Sequence, residues 1–161
     1  MERAQKRTKR ISREEAFMKI AKVMAERSTC RVPNGAILVR NNRIVASGYN
    51  GSPPGREHCI DVGCIVDTLG RCSRTIHAEI NVILMAARYG ISTEGATLYC
   101  TTCPCPNCSK LLSNSGIVKV VYEDLYHNLY TTNESISVLR KSNIEVVKFK
   151  TEKGPEGRSS A

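Results

Sequence analysis

His77-Ala78-Glu79, followed by Pro104-Cys105-Pro106-Asn107-Cys108, is the pair of stretches on which the reading of this chain turns. One imidazole and two thiolates fill three of the four positions that Zn²⁺ prefers and leave the fourth to water. Four thiolates would close a structural site, whereas this set keeps a position open for chemistry. Glu79 stands two residues after the imidazole, too close to bind the same ion with ease and well placed to move protons beside it. Either half alone carries little, because an isolated Cys-x-x-Cys also serves structure or redox chemistry.

Helical sequence follows each half. Residues 76–89 read as one helix with Gly90 as its C-cap, and 105–115 as a shorter one. His77 and Glu79 then fall in the first turn of one helix, Cys105 and Cys108 in that of the next. Both N-termini point partial positive charge at the ligands, which favours thiolate and hydroxide. Upstream, Ser12 and Glu15 form a capping box before Phe17, Ile20, Ala21, Met24 and Ala25, which recur at helical spacing and form a core-facing stripe. Residues 36–40 and 44–49 are β-rich, and Asn41-Asn42 between them reads as a tight hairpin turn, since Asn tolerates left-handed backbone. Residues 50–75 read as a long functional loop. Strands are expected at 96–101, 117–122 and 144–149, with part of a helix at 135–141. Strands alternating with helices imply a mixed sheet covered on both faces.

The composition, 41% hydrophobic and 24% charged over 161 residues, is that of a globular protein of one domain. No apolar run reaches the roughly 20 residues a membrane span needs, and no secretory pattern is seen, so the expected compartment is the cytoplasm. The eight cysteines are therefore read as metal ligands or buried thiols instead of disulfides. The net charge is +9, and residues 1–10 contribute five basic side chains against Glu2. That run is either a solvated tail or an attractor of phosphate-bearing ligands. The expected layout is a basic flexible tail over 1–11, a domain over 12–150 and a flexible tail over 151–161.

The order His-x-Glu followed by Pro-Cys-x-x-Cys is similar to that of the zinc-dependent nucleobase deaminases. Together with Gly48-Tyr49-Asn50-Gly51-Ser52-Pro53-Pro54, Arg74-Thr75-Ile76-His77-Ala78-Glu79-Ile80-Asn81 and Gly95-Ala96-Thr97-Leu98-Tyr99, it resembles the deoxycytidylate (dCMP) deaminases from about Arg27 to Val147. The resemblance implies an α/β fold of the cytidine-deaminase type, three layers α/β/α with a five-stranded mixed sheet. It implies hydrolysis of dCMP to dUMP and ammonia for thymidylate synthesis, with His77, Cys105 and Cys108 as zinc ligands. Glu79 is then the proton shuttle between attacking water, N3 and the departing amino group. Asn50, Ala78, Arg27 and Thr29 are carried over to the substrate. Asn50 also reads as a turn residue, and Arg27 as a charge complementing a helix C-terminus. Regulation by dCTP and dTTP, the triphosphate arriving with Mg²⁺, is implied at Tyr49, Gly51 and Arg88. Arg88 reads equally as a partner in a helix-surface salt bridge. Relatives of this type assemble as homo-oligomers, commonly hexamers.

Cys30, His58, Cys59, Cys64 and Cys72 either close a second, structural zinc site or are scattered buried thiols. Cys100 and Cys103 extend the Cys-x-x-Cys pattern, but a zinc ribbon is rejected because Cys100 ends a buried strand and neither lies on the Cys105/Cys108 face. The segment from Cys30 to Ala36 is shorter than in the family, so Asn34 takes a place usually apolar; it either adjusts the turn or retunes substrate choice. An alternative reading is a deaminase editing RNA or single-stranded DNA, which shares the zinc chemistry and suits the basic N-terminus. Few aromatics, 5%, and no tryptophan argue against a base-stacking platform. A third reading, a zinc-stabilised binding module, makes Glu79 incidental and leaves the open ligand position without a purpose.

Overall fold

The computed structural model describes residues 10–68, 70–126 and 129–150, the side chains of 129 and 130 excepted. The expected C-terminal tail and all of the N-terminal tail but Arg10 and Ile11 lie outside the described residues. Helix α1 (Arg13–Ala25) starts at Ser12, whose hydroxyl accepts from the Glu15 N–H at 3.1 Å. Its buried side chains are Met18 and Ala21, with Phe17 and Met24 packed beside them. Ile20, expected on that stripe, is 38% exposed, because the stripe is centred on Met18 and Ala21 and Ile20 lies off its edge.

β1 (Gly35–Arg40) and β2 (Arg43–Tyr49) form the expected hairpin. Asn41 and Asn42 both adopt positive φ, 51° and 58°, which is the primed turn that matches strand twist. A register shift after Leu38 lets the hairpin twist further. The loop that follows contains one helical turn, α2 (Cys59–Val62), ended by Gly63 at φ 83°. α3 (Ala78–Arg88) leads to β3 (Thr97–Thr102), α4 (Pro106–Leu112), β4 (Lys119–Asp124), α5 (Leu129–Lys141) and β5 (Glu145–Lys148). α5 begins earlier than its sequence shows. Thr131, Thr132 and Asn133 are poor helix formers, but buried Thr132 is fixed by its hydroxyl, which bonds the Tyr126 N–H and C=O at 3.0 and 3.1 Å.

The five strands form one sheet in the order β2-β1-β3-β4-β5, antiparallel across β2-β1-β3 and parallel across β3-β4-β5. Alternation along the strands feeds two cores. Leu38, Leu98, Cys100, Val120 and Tyr122 face α3, α4 and α5 through Ala78, Val82, Ala86, Leu112 and Leu139. Ile37, Val39, Tyr99 and Val121 face α1. The three-layer α/β/α expectation is therefore met, with the layers unequal. α1 crosses so close to β1 that a Cβ on Gly35 would lie 2.0 Å from the Ala21 carbonyl oxygen, so only glycine fits there.

Candidate active site and metal centres

The parallel strands end where the first two helices of the thicker layer begin, and a ligand crevice is expected at such strand ends. β3 delivers the chain through Cys103 and Pro104 to Cys105, the N-cap of α4, while His77 is the N-cap of α3. Both ligands thus sit one step ahead of the first turns expected for them. Their extended backbone, φ −68° with ψ 149° at His77 and ψ 164° at Cys105, turns each side chain across the helix end. Pro106 at the first helical position fixes where α4 can start.

The His77 Nδ1 lies 3.6 Å from Cys105 Sγ and 3.4 Å from Cys108 Sγ. A tetrahedral ion with Zn–S near 2.3 Å and Zn–N near 2.0 Å requires ligand separations of about 3.5 Å, so the trio fits zinc. Cys105 Sγ also accepts the Cys108 N–H at 3.3 Å, which orients it. The thiol–thiol hydrogen bond pushes Cys105 well below its ordinary value, with His77 adding to this, and pushes Cys108 up. The His77 imidazole is raised by its bond to Cys105, against the effect of burial. Glu79, in the first turn of α3, is 6% exposed, and burial raises its carboxyl above the usual range while His77 opposes this.

A cavity of about 450 Å³ opens beside His77 and Glu79. His77, Ala78 and Glu79 line it together with Asn34, Asn50 and Cys103, and the segments 30–34, 70–75 and 124–126 wall it in. Asn50 is both a lining residue and an anchor. Its Oδ1 accepts from the Ser28 hydroxyl at 2.6 Å and the Asn34 N–H at 2.7 Å, and its Nδ2 donates to Val32 C=O at 2.8 Å. One amide hydrogen is left to face a ligand. The Asn34 side chain is taken up by the fold: its Oδ1 accepts from the Thr101 hydroxyl at 3.1 Å and from the Thr102 hydroxyl, and its Nδ2 donates to Val32 C=O. Asn34 thereby ties the 30–34 segment to the end of β3.

The other expected substrate residues are not brought to the cavity. Arg27 is exposed beyond α1, and the Thr29 hydroxyl pairs with His58 Nδ1 at 2.8 Å. Arg31 and Arg71 line it instead, along with Thr75, Thr102, Asp124 and Tyr126. Their only sequence signal was position in the segments flanking the cysteines. Tyr49 ends β2, Gly51 bridges to Ile76, and Arg88 is exposed in the last turn of α3 with no ion-pair partner among the described residues.

Cys59, Cys64 and Cys72 form a second trio, with sulfur atoms within 4.8 Å of one another and Cys59 to Cys72 at 3.5 Å. Neither Cys30 nor His58 is part of it, and His58 turns its Nδ1 to the Thr29 hydroxyl at 2.8 Å. Burial and hydrogen bonds to its neighbours push Cys59 up; at Cys72, burial is outweighed by bonds from the Arg74 N–H and the other thiols, and the thiol is pushed down. Cys100 and Cys103 are buried and belong to neither trio.

A mixed sheet whose crevice holds one imidazole, two thiols and a buried carboxylate is the architecture of a zinc-dependent deaminase. The chain belongs to the family of the cytidine and deoxycytidylate deaminase zinc-binding region, whose model matches residues 11–124. It is 45% identical over 118 residues to ComE operon protein 2 of Bacillus subtilis, covering 73% of this chain and 62% of that one. It is 40% identical to the deoxycytidylate deaminase of Saccharomyces cerevisiae, covering 83% of this chain and 43% of the yeast protein. The chain thus spans less than two thirds of the length of these relatives. Among solved structures it is similar to the dCMP deaminase of cyanophage S-TIM5 in complex with dCMP and dUMP, with TM-score 0.71, 34% identity, and coverage of 84% and 96%. No described helix is long and apolar enough to cross a membrane.

Proposed function

We infer that this protein deaminates dCMP to dUMP and ammonia. The observation that carries the reading is the buried Glu79 carboxyl beside the His77/Cys105/Cys108 trio, at the end of a cavity of nucleotide size. Zn²⁺ held by the trio supplies the Lewis acidity that makes water a nucleophile near neutral pH. Glu79 takes a proton from the attacking water and delivers it to N3 of the pyrimidine; it then takes the proton of the new C4 hydroxyl and passes it to the amino group, which leaves as ammonia. A carboxyl raised by burial is suited to both taking and giving a proton. The remaining amide hydrogen of Asn50 is available to a sugar oxygen, and Ala78, which lines the cavity with Glu79, would meet the base. The similar S-TIM5 enzyme, which holds dCMP and dUMP, supports the nucleotide monophosphate over other substrates.

The second trio is proposed as a structural zinc site on the 59–72 loop. Three thiolates at these separations suit the ion, and two thiolate sites suit a reducing compartment such as the cytoplasm. A homo-oligomer, with dCTP and dTTP as effectors arriving with Mg²⁺, is proposed on the family resemblance. Support comes from the outward face of α3, where Leu84 is half exposed one turn before Arg88. Ammonia release from dCMP, cytidine, dCTP and a short single-stranded oligonucleotide tests the activity. Turnover of dCMP with little of the others is expected, and turnover of the oligonucleotide alone would replace this reading with an editing enzyme.

A further inference from the structure

Asn81 is a polar side chain inside α3, a helix packed on the sheet, and Asn is a poor helix former. It lines neither the cavity nor a cysteine trio. Its Nδ2 donates instead to the Tyr49 carbonyl at 2.9 Å, across 32 residues of chain. Tyr49 is the last residue of β2, the edge strand of the sheet, and Asn50 follows it directly.

The Asn50 side chain is fixed by Ser28, Val32 and Asn34, and its N–H donates to the Asn34 carbonyl at 3.0 Å. All of these partners belong to the 28–34 segment. None is on α3, which carries Glu79 and starts at His77. The placement of the Asn50 amide relative to Glu79 is therefore set by other bonds. After Asn50, Gly51 exchanges two backbone hydrogen bonds with Ile76, at 3.2 and 2.9 Å. Before it, the Asn81 amide holds the Tyr49 carbonyl one turn beyond His77, whose C=O accepts the Asn81 N–H at 2.9 Å. Gly48 permits this approach, since a Cβ there would lie 3.1 Å from Val82 Cγ2 and 3.2 Å from the Val82 nitrogen. The corner from Gly48 to Gly51 is thus pinned to the start of α3 on both sides of Asn50. The Ile76 pin is backbone, and the Asn81 pin is a side chain.

We propose that Asn81 is a positioning residue, which holds the free amide hydrogen of Asn50 in register with Glu79 so that the deoxyribose 3′-hydroxyl is met while the base lies at the reacting groups. The inference rests on the deaminase reading and deepens it. A hydrogen bond weakens steeply when its geometry is lost, so a shifted Asn50 gives up its hold on the sugar. Glu79 and His77 stay on the α3 backbone when the Asn81 amide is removed, so binding suffers ahead of the chemical step.

The test uses zinc-loaded full-length protein and the variants Asn81→Ala, Asn81→Leu and Asn81→Gln. KM and kcat are measured for dCMP and for 2′,3′-dideoxycytidine monophosphate, which lacks the 3′-hydroxyl. Loss of the donor is expected to raise the KM for dCMP by roughly three- to tenfold, with kcat less affected and the KM for the dideoxynucleotide unchanged. Asn81→Gln, which keeps the donor on a longer stem, should recover part of the loss. Where Asn81→Ala does not fold or does not hold zinc, Asn81→Leu, which keeps the volume and lacks the donor, is read in its place. An unchanged KM for dCMP overturns the proposal, and so does an equal loss with both nucleotides, which a merely structural role would produce. Equal KM for the two nucleotides in the unaltered protein also overturns it, because Asn50 would then meet no sugar hydroxyl. If the unaltered protein turns over neither nucleotide, the deaminase reading fails. The positioning role is then judged by calorimetric binding of the two nucleotides, and it is overturned if dCMP binds the variant as it binds the parent.

Discussion

The two cysteine-bearing trios hold their ligand atoms at similar separations, yet they are built from different parts of the fold. His77, Cys105 and Cys108 stand at the starts of two helices packed on the sheet, where the Ala78–Val82–Leu112 core fixes both backbones. Cys59, Cys64 and Cys72 stand on a loop whose regular structure is one helical turn and one bridge, with Ile60, Val62, Ile65 and Val66 exposed around them. Among the described residues, only the first trio has a buried carboxylate beside it; both trios reach the cavity, the first through His77 and the second through Cys64 and Cys72. Ligand chemistry alone therefore does not make a centre catalytic. The buried carboxylate beside the first trio is what sets it apart, while a trio on a loop ties down chain that has little core of its own.

Removing the proton carrier breaks this contrast most sharply. Glu79→Gln should lower kcat by about 10²–10⁴ while the metal content stays unchanged, as measured by ammonia release and metal analysis. The same variant should not lower the thermal midpoint near neutral pH. Burial raises the Glu79 carboxyl, so the folded state favours the neutral form, and ionisation costs stability as pH rises through that value.

At the loop trio the expected pattern is reversed. Cys64→Ser should remove one of two zinc ions per chain and lower the thermal midpoint, by about 2–4 °C for each kcal/mol lost. Activity should fall through KM more than through kcat. A single zinc per chain in the parent protein would show the loop thiols to be metal-free.

The pH profile sharpens the comparison at smaller cost to the enzyme. The carboxylate form of Glu79 is the base, so kcat/KM should fall as pH drops through its value. That acid limb should disappear in Glu79→Gln. The smallest effect is expected at Asn34→Val, which strips the Thr101 and Thr102 hydroxyls of their shared acceptor. A stability loss of about 1–3 kcal/mol in denaturant titration, with the dCMP preference kept, would assign Asn34 to the fold instead of the substrate.

The His77/Cys105/Cys108 trio could be read from the chain because its parts are local: His77 and Glu79 share one helix start, Cys105 and Cys108 another. The hairpin was legible for the same reason, since Asn41 and Asn42 are the residues a positive-φ turn accepts. The loop trio was only half legible. Five candidate ligands were named, and only the folded chain shows that Cys59, Cys64 and Cys72 are the three brought together. The substrate side was the least legible. Arg27 and Arg31 are four residues apart, and nothing in their identities tells which faces the cavity; the anchoring of 30–34 by Asn50 places Arg31 there.

The sequence by itself determined the candidate metal ligands and proton carrier, the strands and the longer helices in order, and the resemblance that gave the family. Each of these depends on residue types at short spacing, which the chain's own periodicity preserves. The tertiary structure decided that His77 and Cys105 are cap residues, that three of the five second-site candidates come together, and that Arg31 and Arg71 share a cavity with Glu79. Those outcomes depend on which distant segments the sheet and its hydrogen bonds bring together, and no local pattern encodes that.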